Sequence, residues 1–158
     1  MTLESQALPG QDIREYLTSY PQELAFGADD AQVVFDRHHT ADFILVNDGQ
    51  PLDRSILLAH VRSSRKNLTS VQVEVHEALV TAHRVAARYT LTAVMRKSRV
   101  AVTEIYMFGL LAADGRLQHI DQVTRIVPGP GNRANDVGPH SSAEIADGAP
   151  PSIEPTPE

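Results

Sequence analysis

Two side chains separated by a single residue, His119 and Asp121, carry the clearest chemistry in this sequence. They lie in Arg116–Val127, whose alternation of apolar and polar residues reads as a β-strand, so both point to the same face of a sheet. A carboxyl group in a dry pocket loses hydration, which raises its pKa and suits it to proton transfer. A neighbouring imidazole can donate to that carboxyl, orient it, or hold a substrate oxygen. The same spacing also fits a solvated sheet edge, or an Asp121 that simply pairs with Arg88 or Arg125.

Strand register decides what accompanies the pair. Asp114-Gly115 is a strong hairpin signal. A two-residue turn there pairs Ala113 with Arg116, which sets Leu110 opposite His119, Phe108 opposite Asp121 and Tyr106 opposite Val123. Glu104, Tyr106 and Phe108 then share a face with His119 and Asp121. Counting across the less defined break at Arg96-Lys97-Ser98 brings Arg88, Thr90 and Thr92 near Tyr106 and Glu104. The catalytic candidates are therefore Asp121 and His119, and Tyr106, Phe108, Arg88 and Glu104 are candidates for substrate contact. Tyr106 suits a hydrogen bond to a substrate carbonyl and equally suits a core position. Asn47 fits a pocket mouth or a turn. His60 lies on the apolar face of its helix, where it serves as a structural or a catalytic histidine.

The elements that must position these residues follow from periodicity. Residues 11–25 predict a helix with Ile13, Leu17 and Leu24 inward and Pro21 interrupting it. Asp29 or Asp30 caps a second short helix carrying Val33, Val34 and Phe35. Phe43–Val46 is a short apolar strand ending in the turn signal Asn47-Asp48-Gly49. Asp53 caps a third helix with Ile56, Leu57, His60 and Val61 at helical spacing. After Asn67 the period changes to that of strands. Val71, Val73 and Val75 alternate with polar residues, and Arg84–Met95, Arg99–Leu111 and Arg116–Val127 follow, separated by short breaks. Helices first and a long antiparallel meander after them make the α+β class. One sheet face must be buried by the helices; apolar residues on the other predict a homodimer interface.

With 158 residues of which 42% are hydrophobic, the chain fits one domain, placed at 11–127. Residues 1–10 read as a flexible N-terminus. Seven of the ten prolines fall in residues 128–158, with five acids against the single base Arg133, so this acidic Pro/Gly-rich segment reads as a disordered tail. The formal charge of −6 sits mostly there, and a nearly neutral body gives no electrostatic case for nucleic acid. No stretch approaches the roughly 18 apolar residues of a membrane span. The first ten residues lack the regions of a signal peptide and cysteine is absent, which leads to an expected cytoplasmic placement without disulfides or zinc–thiolate sites. His38, His39 and Asp42 have the right types for a metal. Adjacent histidines at a helix end diverge, however, so no metal is expected. No phosphate-cradling Gly-rich loop is present.

The segments Ala41–Val46 (ADFILV), His83–Thr92 (HRVAARYTLT), Tyr106–Phe108 (YMF) and Asp114–Asp121 (DGRLQHID), in this order, resemble the SnoaL-like polyketide cyclase group of the nuclear transport factor 2-like superfamily. Tyr89 and Ile120 stand where that group usually has Trp. The resemblance spans about residues 11–127. It implies a cone-shaped α+β barrel, with N-terminal helices packed in the concave face of a strongly bent, mainly antiparallel sheet around a deep apolar pocket. It also implies that Asp121 acts as the acid/base of a cyclisation or isomerisation of a polyketide-like carbonyl compound in bacterial-type secondary metabolism such as antibiotic biosynthesis, with His119 assisting. Such chemistry needs no cofactor, and the expected partners are an apolar small molecule and a second copy of the chain. Two alternatives stand beside it. One is epoxide opening of the hydrolase or cyclase kind, with Glu104 as the second carboxylate unless Arg88 locks it. The other is a non-catalytic small-molecule-binding dimer, for which an exposed or ion-paired Asp121 would speak.

Overall fold

A computed structural model describes residues 7–128. The expected flexible segment 1–10 lies mostly outside the described residues, and the expected tail 128–158 does so apart from Pro128.

Three helices form where carboxylates cap them. Asp12 Oδ1 accepts from the Glu15 backbone N–H at 3.0 Å and starts α1 (Ile13–Phe26). Asp30 accepts from Gln32 at 3.3 Å and starts α2 (Ala31–His38), while Asp53 accepts from Ile56 at 2.9 Å and starts α3 (Arg54–Asn67). Each satisfies a backbone donor that the first turn leaves free. Pro21 does not interrupt α1 as expected: it removes one N–H from the ladder, but burial of Ile13, Tyr16 and Leu17 on one side of it and packing of Leu24 on the other carry the helix across. Val33, expected to pack inward, is exposed on α2, whereas Val34 and Phe35 are buried. No helix among the described residues is long and apolar enough to cross a membrane.

Six strands form one open sheet in the order β2-β1-β6-β5-β4-β3. They are β1 (His39–Asn47), β2 (Gln50–Asp53), β3 (Leu68–Val80), β4 (Arg84–Met95), β5 (Arg99–Leu111) and β6 (Leu117–Ile126). All neighbours are antiparallel except β1 and β6, which are parallel. β2 and β3 remain edges, so the barrel does not close. β2 is an element that the sequence pattern does not announce: it is four residues long and pairs back on β1 through Asp48 and Gly49, both at positive φ (48° and 85°). Asp48 also ties this turn to β6, its N–H donating to the Gln122 carbonyl at 3.0 Å and its carboxylate accepting from the Thr124 N–H at 2.9 Å.

The hairpin between β5 and β6 has the expected pairing, with Leu110 opposite His119, Phe108 opposite Asp121 and Tyr106 opposite Val123. Its turn is different. The Ala112 N–H donates to the Arg116 carbonyl at 2.8 Å around a three-residue loop, with Gly115 at φ 89°. One extra residue on β6, between Leu117 and His119, then restores the register. Arg88 faces Tyr106 and Thr90 faces Glu104 across β4 and β5, also as expected.

The core lies on one face of the sheet. On β4 it takes Val85, Ala87, Tyr89, Ala93 and Met95; on β5, Ile105, Met107 and Leu111; on β6, Leu117 and Ile120; on β1, Phe43 and Leu45. α1 packs against β3, and α3 against β1 and β2. Side-chain ties hold the helices over this face, Arg37 to Glu23 joining α2 to α1 among them. Arg54 grips Asp36 through two hydrogen bonds of 2.8 Å, joining α3 to α2, and Arg65 Nε donates to the Leu24 carbonyl at 2.7 Å, joining α3 to α1.

Candidate functional site

Between the three helices and the concave sheet face lies a cavity of about 210 Å³. It exceeds the ~150 Å³ in which benzene is accommodated. α1 contributes Tyr16, Leu17, Tyr20 and Leu24; α3 contributes Leu57, His60, Val61 and Ser64; the sheet forms the floor with residues such as Leu91, Ile105, Met107 and Ile120. The lining is mostly apolar with a few convergent polar groups, the common composition of a small-molecule site.

Those polar groups form two clusters. In the first, the Tyr16 hydroxyl lies 2.8 Å from His39 Nε2, and His39 Nδ1 lies 2.9 Å from the Phe35 carbonyl. A carbonyl only accepts, so Nδ1 carries a proton there. Burial pushes His39 down to about 3, partly offset by its bond to Phe35. The ring is therefore neutral at pH 7, Nε2 is a lone pair, and Tyr16 donates to it. Phe35 stacks on the His39 ring at 4.4 Å and Phe43 closes on it at 4.5 Å, which fixes its orientation. Burial also raises Tyr16 and Tyr20 above the ordinary phenol range, so both stay protonated. Their rings stack at 5.1 Å.

In the second cluster Gln122, on the floor, donates through Nε2 to Asn47 Oδ1 at 2.8 Å, and Asn47 donates to Asp48 at 3.2 Å. The β1–β2 turn thus orients an amide of the cavity. His60 lines the wall, and its partial burial lowers its pKa. Among the described residues, those lining the cavity include no Asp, Glu, Lys or Arg.

The residues singled out from the sequence divide between the two sheet faces. His60 lines the cavity and Asn47 stands behind Gln122. Asp121, His119, Tyr106, Phe108, Arg88 and Glu104 do share one face, but it is the convex one, away from the helices; this corrects the expectation that they point into the pocket. Asp121 is exposed there, beside an exposed Phe108 and Val123. The physical reason is burial: the alternate set Ile105, Met107, Leu117 and Ile120 is more uniformly apolar and takes the helices. Asp121 does not pair with Arg88 or Arg125 either. Both arginines hold Glu104, with Arg88 at 3.3 Å, and Tyr106 donates to the same carboxylate at 2.8 Å. These bonds, that from Arg125 foremost, hold Glu104 down at about 2. Glu104 is thus a buried ion-pair centre, and its expected alternative role as a second carboxylate for epoxide opening has no place in the cavity.

The sequence does not single out Tyr16, Tyr20 and Gln122, and it raises His39 only as a metal ligand beside His38 and Asp42. The helical residues carry a signal: Tyr16 follows Ile13 and Tyr20 follows Leu17 at a spacing of three, so hydroxyls sit on the stripe that α1 must bury. Gln122 shares the core face with Ile120, two residues before it. The place of His39 in the cavity has no readable signal, because the register of β1 on β6 shifts between His39 and Ile44.

No family model matches the chain and no curated protein does. Solved structures do. An NTF2-like protein of unknown function from an Exiguobacterium species superposes with a TM-score of 0.56 at 13% identity, covering 72% of this chain and 98% of that one. AclR from Streptomyces galilaeus, a candidate hydroxylase, gives 0.52 at 15% identity over 68% of this chain and 86% of its own. IdmH from Streptomyces antibioticus, a candidate polyketide cyclase, gives 0.52 at 13% identity over 65% and 84%. Identities this low speak to architecture alone: the chain shares the α+β fold of these NTF2-like structures.

Proposed function

We propose that the chain takes an apolar ring compound, polyketide-like in character, into the cavity between the helices and the concave sheet face, and holds the compound's polar edge against Tyr16, His39 and Gln122. The observation that carries this reading is the Tyr16–His39 hydrogen bond of 2.8 Å inside an otherwise apolar cavity. A buried polar pair that touches open space is kept for something that enters that space. The fold shared with a candidate polyketide cyclase supports the ligand class. The test is a titration of isotope-labelled protein with two-ring aromatic compounds. Shifts at the Met107 and Ile120 methyls are expected; unmoved methyls across the series would remove the reading.

A catalytic form of the same reading, a cofactor-independent cyclisation or isomerisation, draws on one further feature. Tyr16 and His39 form a chain along which a proton can move, with the Phe35 carbonyl accepting from Nδ1: a substrate hydroxyl gives its proton to Tyr16 as Tyr16 passes its own to His39 Nε2, leaving a substrate oxyanion and a protonated His39. Burial of His39 makes its protonated form costly, so the chain positions a substrate more readily than it deprotonates one. Turnover that Tyr16→Phe abolishes and Asp121→Asn leaves intact would support it; the reverse pattern would remove it.

The convex face is proposed to bind a second copy of the chain. Phe108 is 69% exposed and Val123 59%, beside half-exposed Tyr106. Arg88 and Arg125 balance Glu104 and Asp121 on that face, so two copies meet without like-charge repulsion.

A further inference from the structure

The direction of the Tyr16 hydrogen bond restricts what a ligand can offer at that end of the cavity. A phenol has one proton. His39 cannot donate through Nε2, since its single ring proton is committed to the Phe35 carbonyl at 2.9 Å. The 2.8 Å contact between Tyr16 and Nε2 is therefore a bond from the phenol to the ring. What remains on the Tyr16 oxygen is lone pairs. The arrangement is rigid: His39 is clasped between Phe35 at 4.4 Å and Phe43 at 4.5 Å, and the Tyr16 ring stacks on Tyr20. The other tautomer of His39, with its proton on Nε2, would face the Nδ1 lone pair to the Phe35 carbonyl oxygen, which is repulsive, and a flipped ring would present carbon to both partners and lose both bonds. A ligand carbonyl could recruit the Tyr16 proton only by leaving Nε2 buried and without a donor, a cost that a hydroxyl ligand avoids.

We infer that the cavity selects ligands that bring a hydroxyl, not a carbonyl, to the Tyr16 end, because Tyr16 meets a ligand there as an acceptor. This rests on the reading that the cavity is the ligand site. Tyr20, Ser64 and Gln122 leave donors elsewhere in the cavity, so the restriction applies to one end of the ligand and fixes its orientation. An alcohol or phenol on an apolar ring system is the class that fits, with its hydroxyl hydrogen on Tyr16 and its rings over Leu91, Ile105 and Met107.

The test uses the achiral matched pair 2-indanol and 2-indanone, which differ at one oxygen. Calorimetric titration of the whole chain should show the alcohol binding about tenfold more tightly, a difference of about 1.4 kcal/mol. His39→Phe keeps the aromatic packing and frees the Tyr16 proton, so it should abolish or reverse that preference. Independently of any variant, the nitrogen-15 spectrum of the unliganded chain should show His39 protonated on Nδ1 and bare on Nε2. Equal affinities in the unaltered chain, or a proton on Nε2, would overturn the inference while leaving the cavity as the ligand site. Failure of both compounds to bind or to move the Met107 methyl would overturn it together with the reading on which it rests.

Discussion

Ile120 and Asp121 are consecutive residues of β6 that face opposite sides of the sheet: Ile120 floors the cavity and Asp121 is exposed on the convex face. That one alternation relocates the candidate chemistry. The cavity holds phenols, imidazoles and an amide where the Asp121 carboxylate with His119 was expected, and Glu104, the second carboxylate of the epoxide alternative, is tied into an ion-pair cluster on the far side.

His39 should remain neutral well into acid. Its pKa is held at about 3 by burial, below its value in the unfolded chain of roughly 6.5. The unfolded chain therefore binds this proton more readily. The contribution is complete above pH 6.5 and declines as the pH falls from there towards 3. Histidine ring signals followed by NMR should show His39 unchanged at pH 5. Titration near 6.5 would contradict its burial and the Tyr16 bond.

Glu104 has the opposite chemistry and the same sign. Its carboxylate is held at about 2, below the ordinary range near 4.3. The stability it provides is fully present above that range and is lost as the pH falls towards 2. Glu104→Gln should lower the melting temperature at pH 7 and match the parent chain near pH 2. A gap that persists unchanged at pH 2 would show that lost packing, not charge, is responsible.

Gly109 sits where β5 crosses the core. A Cβ there would lie 2.6 Å from Val85 Cγ2 and 3.0 Å from Leu117 Cδ2, both in fully buried side chains. Gly109→Ala should destabilise the chain by about 1–3 kcal/mol through overpacking, read by urea denaturation. A neutral effect would mean that the core has slack at this point.

Phe108 is the most exposed large hydrophobic side chain of the convex strands β5 and β6. If a second copy covers this face, sedimentation should give a dimer for the parent chain and a monomer for Phe108→Glu with an unchanged melting profile. A parent chain that sediments as a monomer would remove the interface.

The helices were legible because each has its signal in place: a capping carboxylate followed by an apolar stripe. The meander was legible because β3 and β4 alternate cleanly. The β5–β6 register was reached by a two-residue turn that does not exist; a longer loop and a compensating bulge on β6 gave the same pairs. What went astray was the choice of face. β5 is apolar on both sides, with Ile105 and Met107 against Tyr106 and Phe108, so it cannot decide alone. β4 does decide. Arg84, Arg88, Thr90 and Thr92 stand against Val85, Ala87, Tyr89 and Leu91, and Arg88 pairs with Tyr106, which puts the Asp121 face outside. The Tyr16–His39 pair joins positions 23 residues apart through packing of α1 on the start of β1, a juxtaposition that no local pattern encodes.

The central claim is that ligand enters the cavity and does not meet the Asp121 face. It is tested most directly by calorimetric titration of 2-indanol into the parent chain, Leu91→Trp and Asp121→Asn. Leu91 lines the cavity floor, so a Trp there fills the space a ligand needs. Binding should be lost in Leu91→Trp, with its fold verified by circular dichroism, and should keep its parent affinity in Asp121→Asn. Binding retained in Leu91→Trp and lost in Asp121→Asn would contradict the claim.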